Sequence, residues 1–304
     1  MDAPRSRRAM LGDLAKIASA LALPVPLAAF ARVARADADL ARLIAWSAAL
    51  GTEKLTGASV PLGRASVRVG ELAVGTPYVA NTLEAYLRAG GSAATTEPLT
   101  VSLTRFDCVT LVESCLAVAR TARTGAAPSW ERFEREIERM RYRGGTRGSY
   151  ASRLHYFSEW IADGERRGLV RDLGPTLGAV DDARPLRFMT EHRGSYAALA
   201  DDGVFQSIAS MERGLDDHPR RLIPTARIAE VSDGIQTGDV LAFATSIPGL
   251  DVTHSAMAYR DRSNTLRVLH APLSGGAVEV STRTLPEYVA AIRRSTGILV
   301  ARPH

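Results

Sequence analysis

The stretch RFDCVTLVESCLAVAR, residues 105–120, constrains the chain more than any other segment. Apolar side chains fall at Val109, Leu111, Val112, Cys115, Leu116, Val118 and Ala119, a wide stripe at helical spacing. Asp107 stands where an N-cap belongs. Both cysteines of the chain, Cys108 and Cys115, lie in this one helix. Seven helical residues rise about 10 Å, whereas bridged cysteines need Cα atoms within about 7 Å. The helix therefore excludes a disulfide between them. Cys115 sits inside the apolar stripe and reads as a small buried hydrophobe. Cys108 occupies the first turn, where unpaired N–H groups and the helix dipole favour a thiolate. That position suits a nucleophile with a depressed pKa.

The first 36 residues have the layout of an export signal: Ser6-Arg7-Arg8, an apolar run from Ile17 to Ala31, then Ala34-Arg35-Ala36. The paired arginines point to the twin-arginine route. Pro24 and Pro26 break the apolar run, which is too short for a transmembrane helix, so no membrane anchor is expected. This segment carries six positive and two negative side chains and accounts for +4 of the chain's formal +5. What remains, residues 37–304, is nearly neutral and has no basic stripe with interleaved aromatics, so nucleic acid is not an expected partner. It suits one domain with an irregular insertion at about 168–235. An exported compartment is often oxidising. A cysteine kept there without a partner calls for a chemical role.

Helices are expected at 37–56, 129–142 and 150–167, with a turn leading into a short helix in GTPYVANTLEAYLRAGG. Residues 97–108 alternate as a strand through Leu99, Val101 and Leu103. Within 168–235 the pattern supports one helix, GVFQSIASMERGL. Strand-like runs follow at 238–245, 252–260, 266–272, 277–282 and 297–302, separated by turn residues. Successive short strands predict an antiparallel meander, and with the thiol helix an α+β fold.

A thiol nucleophile needs a base, and the base needs an orienting group. His254 and His270 flank the turn signal DRSN on consecutive strands. A hairpin centred on Arg262 sets His254 opposite His270, Ala256 opposite Val268 and Ala258 opposite Leu266. Both imidazoles then share one face, about 5 Å apart at Cβ. The small Ala256 and Ala258 on that face leave room for the thiol helix. A Cys/His/His zinc site is the competing constellation, although tight ligand pairs such as CxxC or HExxH are absent. Asp107 serves either as a cap alone or also in holding substrate. Tyr78 either lines a cleft or closes a loop. His155 lies at the margin of the apolar side formed by Leu154, Phe157, Trp160 and Ile161, the place of a surface or satisfied histidine. Nothing singles out His192, His218 or His304.

In order along residues 70–275, GTPYVANTLE, LTRFDCVTLVE, SRLHYFSEWI, TGDVLAFAT, DVTHSAMAYR and LHAP resemble the NlpC-type, papain-like bacterial cell-wall hydrolases. Within these they are most similar to the N-acetylmuramoyl-L-alanine amidase-like branch. The resemblance implies a papain-like core with Cys108 as nucleophile, His254 as general base and His270 as orienter. Asp107, Tyr78, His155 and Tyr156 are the candidates on the substrate side. It implies no cofactor, and peptidoglycan or a muropeptide as the partner, cut at an amide through a thioester. Val109-Thr110 follows the cysteine where better-known NlpC-type peptidases commonly have a small Ser or Gly pair. A γ-D-glutamyl endopeptidase uses the same three residues and stays open as the alternative. A non-catalytic wall-binding protein would have lost one of the three, and all are present.

Overall fold

The computed structural model describes residues 25–272 and 276–304, with side chains from residue 36 onward. The twin-arginine pair and most of the apolar run lie outside the described residues. Two compact units divide the chain, Met1–Ala38 and Asp39–His304. The described part of the first is the opening of helix α1, Val25–Thr52. No helix of the described residues is long and apolar enough to cross a membrane.

The larger unit contains helices α2 (Leu62–Leu72), α3 (Cys108–Arg123), α4 (Trp130–Arg141), α5 (Phe157–Arg166), α6 (Asp202–Gly214) and α7 (Leu285–Ala291), with several single turns between them. Its strands are β1 (Val170–Asp172), β2 (Val180–Asp182), β3 (Arg220–Pro224), β4 (Val240–Thr245), β5 (Val252–Arg260), β6 (Leu266–His270), β7 (Glu279–Val280) and β8 (Ser295–Pro303). Among the described residues these eight form one antiparallel sheet ordered β2-β3-β8-β4-β5-β6-β7, with β1 also on β8. The chain is α+β, as its sequence pattern implies. The expected meander holds for β4 to β7, but β8 returns to pair with β4.

Strand alternation gives the sheet two apolar faces. Ala242, Ala244, Met257, Leu269 and Leu299 pack with Leu111, Val112, Cys115 and Leu116 of α3 and with side chains of α1, α2, α4 and α5. Leu241, Phe243, Ala256, Ala258, Val268 and Val300 face the other way, against Ile228 and the Leu285 and Val289 side of α7. Ala256 and Ala258 therefore do not make room for the thiol helix. Gly70 instead lets α2 lie close on the sheet, since a Cβ there would lie 2.7 Å from Leu269 Cδ2.

Three expectations are corrected. Residues 97–103 form no strand, because side chains satisfy their backbone. Asp39 accepts from the Leu103 N–H (2.7 Å), Arg42 donates to the Leu103 carbonyl (2.8 Å), and Arg141 donates to that of Thr100 (2.6 Å). The 150–167 helix breaks into a 3-10 turn at Tyr150–Ser152 and α5, because the Leu154 N–H is drawn off to the Arg141 carbonyl, 2.9 Å away. The region 168–235 holds its expected helix as α6, and it also supplies β1, β2 and β3 to the sheet.

Candidate active site

Helix α3 begins where expected. Asp107 Oδ1 accepts from the Thr110 N–H and hydroxyl, both at 2.8 Å, while Thr110 Oγ1 accepts from the Asp107 N–H at 2.9 Å. This reciprocal cap fixes the first turn. It occupies the Thr110 N–H, and the Leu111 N–H bonds to the Asp107 carbonyl. The N–H groups of Cys108 and Val109 are then the first-turn donors with no acceptor inside the helix. Just upstream, Phe106 bridges Tyr78, with the Val79 N–H donating to the Phe106 carbonyl at 2.8 Å. Tyr78 is thereby brought beside the helix start.

Both cysteines are free, Cys115 buried in the core at 1% exposure and Cys108 only partly buried. Burial pushes the Cys108 thiol up to about 11, and the Asp107 charge adds to this. The Ser255 backbone and hydroxyl and the Val109 N–H pull the other way without reversing it. The depressed pKa expected from the helix dipole is not found, because desolvation outweighs a few aligned N–H groups. Ser255 Oγ is buried with no hydrogen bond of ordinary geometry, although it acts on the thiol. Among the described residues no hydrogen bond joins Cys108 to His254. The residue against the thiol is Ser255, next in the chain after His254.

His254 and His270 come together as the sequence implies, but in a different register. Observed pairs are Met257↔Leu269, Ala258↔Val268 and Arg260↔Leu266, which moves the hairpin centre one residue on, to Ser263. Asn264 adopts φ 62° in the turn, and the Asp261 carboxylate accepts from the N–H groups of Ser263 and Thr265, which builds the five-residue connection 261–265 around Ser263. The pairing slips by two residues, and a period of two preserves the face. His254 Nε2 lies 2.9 Å from His270 Nδ1. The His254 ring stacks on Phe243, its partner on β4, with centroids 5.5 Å apart and planes at 13°. A register shift follows this pair, between Phe243 and Ala244. Burial holds His254 down at about 3, helped by His270, and His270 at about 4. At neutral pH the site rests as a thiol and two neutral imidazoles.

Two residues the sequence did not single out complete the surroundings. Tyr288 of α7 places its hydroxyl 3.2 Å from His270 Nδ1, and Glu279 Oε1 of β7 lies 3.7 Å from His270 Nε2. Tyr288 is pushed up to about 12 by burial, then by the charges of Glu279 and Cys108. Tyr78 is likewise pushed to about 12 by burial, then by Cys108 and Asp107. Both phenols therefore sense the thiol. No motif announces Tyr288 in LPEYVAA. The strand placement of Glu279 was its one signal.

The remaining candidates have partners elsewhere. His155 Nε2 bonds the Tyr150 carbonyl at 2.8 Å, its ring lies 4.5 Å from that of Tyr150, and burial with the Arg153 charge holds its pKa far below the usual range. The Tyr156 hydroxyl donates to Glu212 at 2.6 Å in a buried cluster with Met189 and Ile208. Among the described residues no three His, Cys, Asp or Glu side chains are arranged to hold a metal ion.

This combination of mixed helices, an antiparallel sheet and a polar cluster at a helix start belongs to an amidase-like class of α+β hydrolases. The chain is a member of the AmiA-like family, described as N-acetylmuramoyl-L-alanine amidase-like, whose sequence profile matches residues 68–298. A solved N-acetylmuramoyl-L-alanine amidase of Bacteroides uniformis is 31% identical, with a TM-score of 0.73 over 80% of this chain and 99% of its own. A Bacteroides fragilis protein with a provisional xylanase name has 31% identity and a TM-score of 0.69 over 77% of this chain and 98% of its own. A Legionella pneumophila protein at 18% identity shares the fold, with a TM-score of 0.63 over 89% of this chain and 96% of its own. No curated protein matches the chain.

Proposed function

We propose that the chain is a cysteine-dependent amidase of the NlpC type, with a papain-like core, that cleaves the amide between N-acetylmuramic acid and L-alanine in peptidoglycan or its fragments. The observation that carries this reading is the Cys108 thiol at the start of α3 against Ser255, the chain neighbour of His254, whose Nε2 is engaged by His270. His254 Nδ1 is then the nitrogen left to take the thiol proton. The family description and the amidase of Bacteroides uniformis support the choice of bond.

The pKa directions shape the mechanism. With the thiol near 11 and the imidazole near 3, neither is ionised in advance, so proton transfer from Sγ to His254 Nδ1 accompanies attack on the carbonyl. The first-turn N–H groups of Cys108 and Val109 stabilise the oxyanion once the thiol has attacked. The His254 imidazolium then protonates the leaving L-alanine amine, and water releases the muramoyl acyl group from the thioester. His270 steadies the imidazolium throughout. Tyr78 and Asp107 border the thiol on the substrate side.

An amide in the wall places the work outside the cytoplasm, in keeping with the leader-like residues 1–36 and the twin-arginine route. The test is mass spectrometry of muropeptides after digestion. Released L-alanine peptides with Cys115→Ala active and Cys108→Ala inert support the reading. A cut after D-glutamate replaces the amidase by the endopeptidase, and activity in Cys108→Ala removes the thiol from the chemistry.

A further inference from the structure

Strand β7 is two residues long, and it sets Glu279 directly opposite His270. The His270 side chain is 1% exposed and its Nε2 has no hydrogen-bond partner, while Glu279 Oε1 stands 3.7 Å from that nitrogen. On the other edge of the ring, Nδ1 meets two groups, His254 Nε2 at 2.9 Å and the Tyr288 hydroxyl at 3.2 Å. The proposed mechanism leaves open what decides which nitrogen of each ring carries the proton.

We propose that Glu279 is a positioning residue that selects the tautomer of both histidines, with Tyr288 as its complement on the opposite edge of His270. The inference rests on the reading of Cys108 and His254 as nucleophile and base. An ionised carboxylate only accepts hydrogen bonds. Facing Nε2, it favours a proton there and leaves a lone pair on Nδ1. That lone pair accepts from His254 Nε2–H and from the Tyr288 hydroxyl, which stays protonated at neutral pH. With its proton on Nε2, His254 has a lone pair on Nδ1 and can accept the thiol proton.

The opposite tautomer fails at each step. A proton on His270 Nδ1 would turn a lone pair on Nε2 toward the carboxylate. It would also make His254 Nε2 an acceptor and move that ring's proton to Nδ1, the nitrogen that has to receive the proton of Cys108. During acylation one proton moves from Sγ to His254 Nδ1 and on to the leaving amine. His270, Glu279 and Tyr288 neither gain nor lose one.

The test combines Glu279→Gln, whose amide can present a donor or an acceptor, with Glu279→Asp as the conservative variant. Ring tautomers are read by 15N–1H spectra of protein labelled in histidine, without substrate, and kcat and KM on a muropeptide are measured separately. The expected result is Nε2–H on both rings of the wild type and a mixed His270 in Glu279→Gln. That variant's kcat should fall about tenfold with KM unchanged, the modest factor expected of a half-exposed carboxylate. Glu279→Asp should recover part of the loss. Wild-type ring spectra together with wild-type kcat in Glu279→Gln would overturn the proposal. Turnover surviving in Cys108→Ala would remove the nucleophile reading instead, and the substrate-free spectra would still decide the tautomer.

Discussion

His254 Nε2 and His270 Nδ1 lie 2.9 Å apart across two strands, close enough to share one proton. His270→Ala should therefore lower kcat by about 10²-fold or more while KM stays within about twofold, because the lost group steadies charge only in the transition state. His270→Asn should restore part of the rate. Steady-state kinetics on a muropeptide checks this, with circular dichroism confirming the fold.

The thiol's environment gives a second expectation. With Cys108 at about 11, iodoacetamide should modify it slowly at pH 7, and the rate should climb about tenfold per pH unit toward that value. Cys115, buried in the core and pushed up further still, should stay unmodified until the protein unfolds. Asp107→Asn retains an oxygen for the cap and removes the charge that raises Cys108, so the alkylation profile should move to lower pH.

Acid should destabilise the fold in a defined window. An unfolded histidine titrates near 6.5, whereas His254 and His270 in the fold are held at about 3 and about 4, so between these limits the unfolded chain binds more protons. The stability they contribute is complete above about pH 6.5 and is lost progressively as pH falls below that, the loss ending once pH has passed about 4 for His270 and about 3 for His254. Melting temperatures from pH 8 to pH 3 should decline less steeply in His254→Gln than in the wild type.

A buried ion pair ties the thiol helix to α4. Glu113 and Arg141, 2% and 3% exposed, meet at 2.7 Å. Glu113→Leu alone leaves a buried guanidinium uncompensated and should cost about 3–5 kcal/mol, whereas Glu113→Leu with Arg141→Met should recover most of that loss. Urea unfolding measures both.

Much of the site was legible because it is local or periodic. Helical spacing separated Cys108 from Cys115, the capping position identified Asp107, and a period of two kept His254 and His270 on one face even though the register was displaced. What escaped depends on long-range contact. The bonds from Asp39, Arg42 and Arg141 that replace a strand at 97–103 join distant parts of the chain. The thiol pKa turned on burial, which a helix-start argument cannot weigh. Tyr288 reaches His270 only through the packing of α7 on the sheet, and β1 to β3 are short strands that find partners because β8 returns beside β4.

The most direct test of the central claim is the intact mass of the protein quenched in acid during turnover of a MurNAc-L-alanyl peptide. The account predicts an acid-stable thioester adduct on Cys108 with the mass of the muramoyl half, absent from Cys108→Ala. An adduct bearing the peptide's D-glutamyl half, an adduct on another residue, or turnover by Cys108→Ala would contradict it.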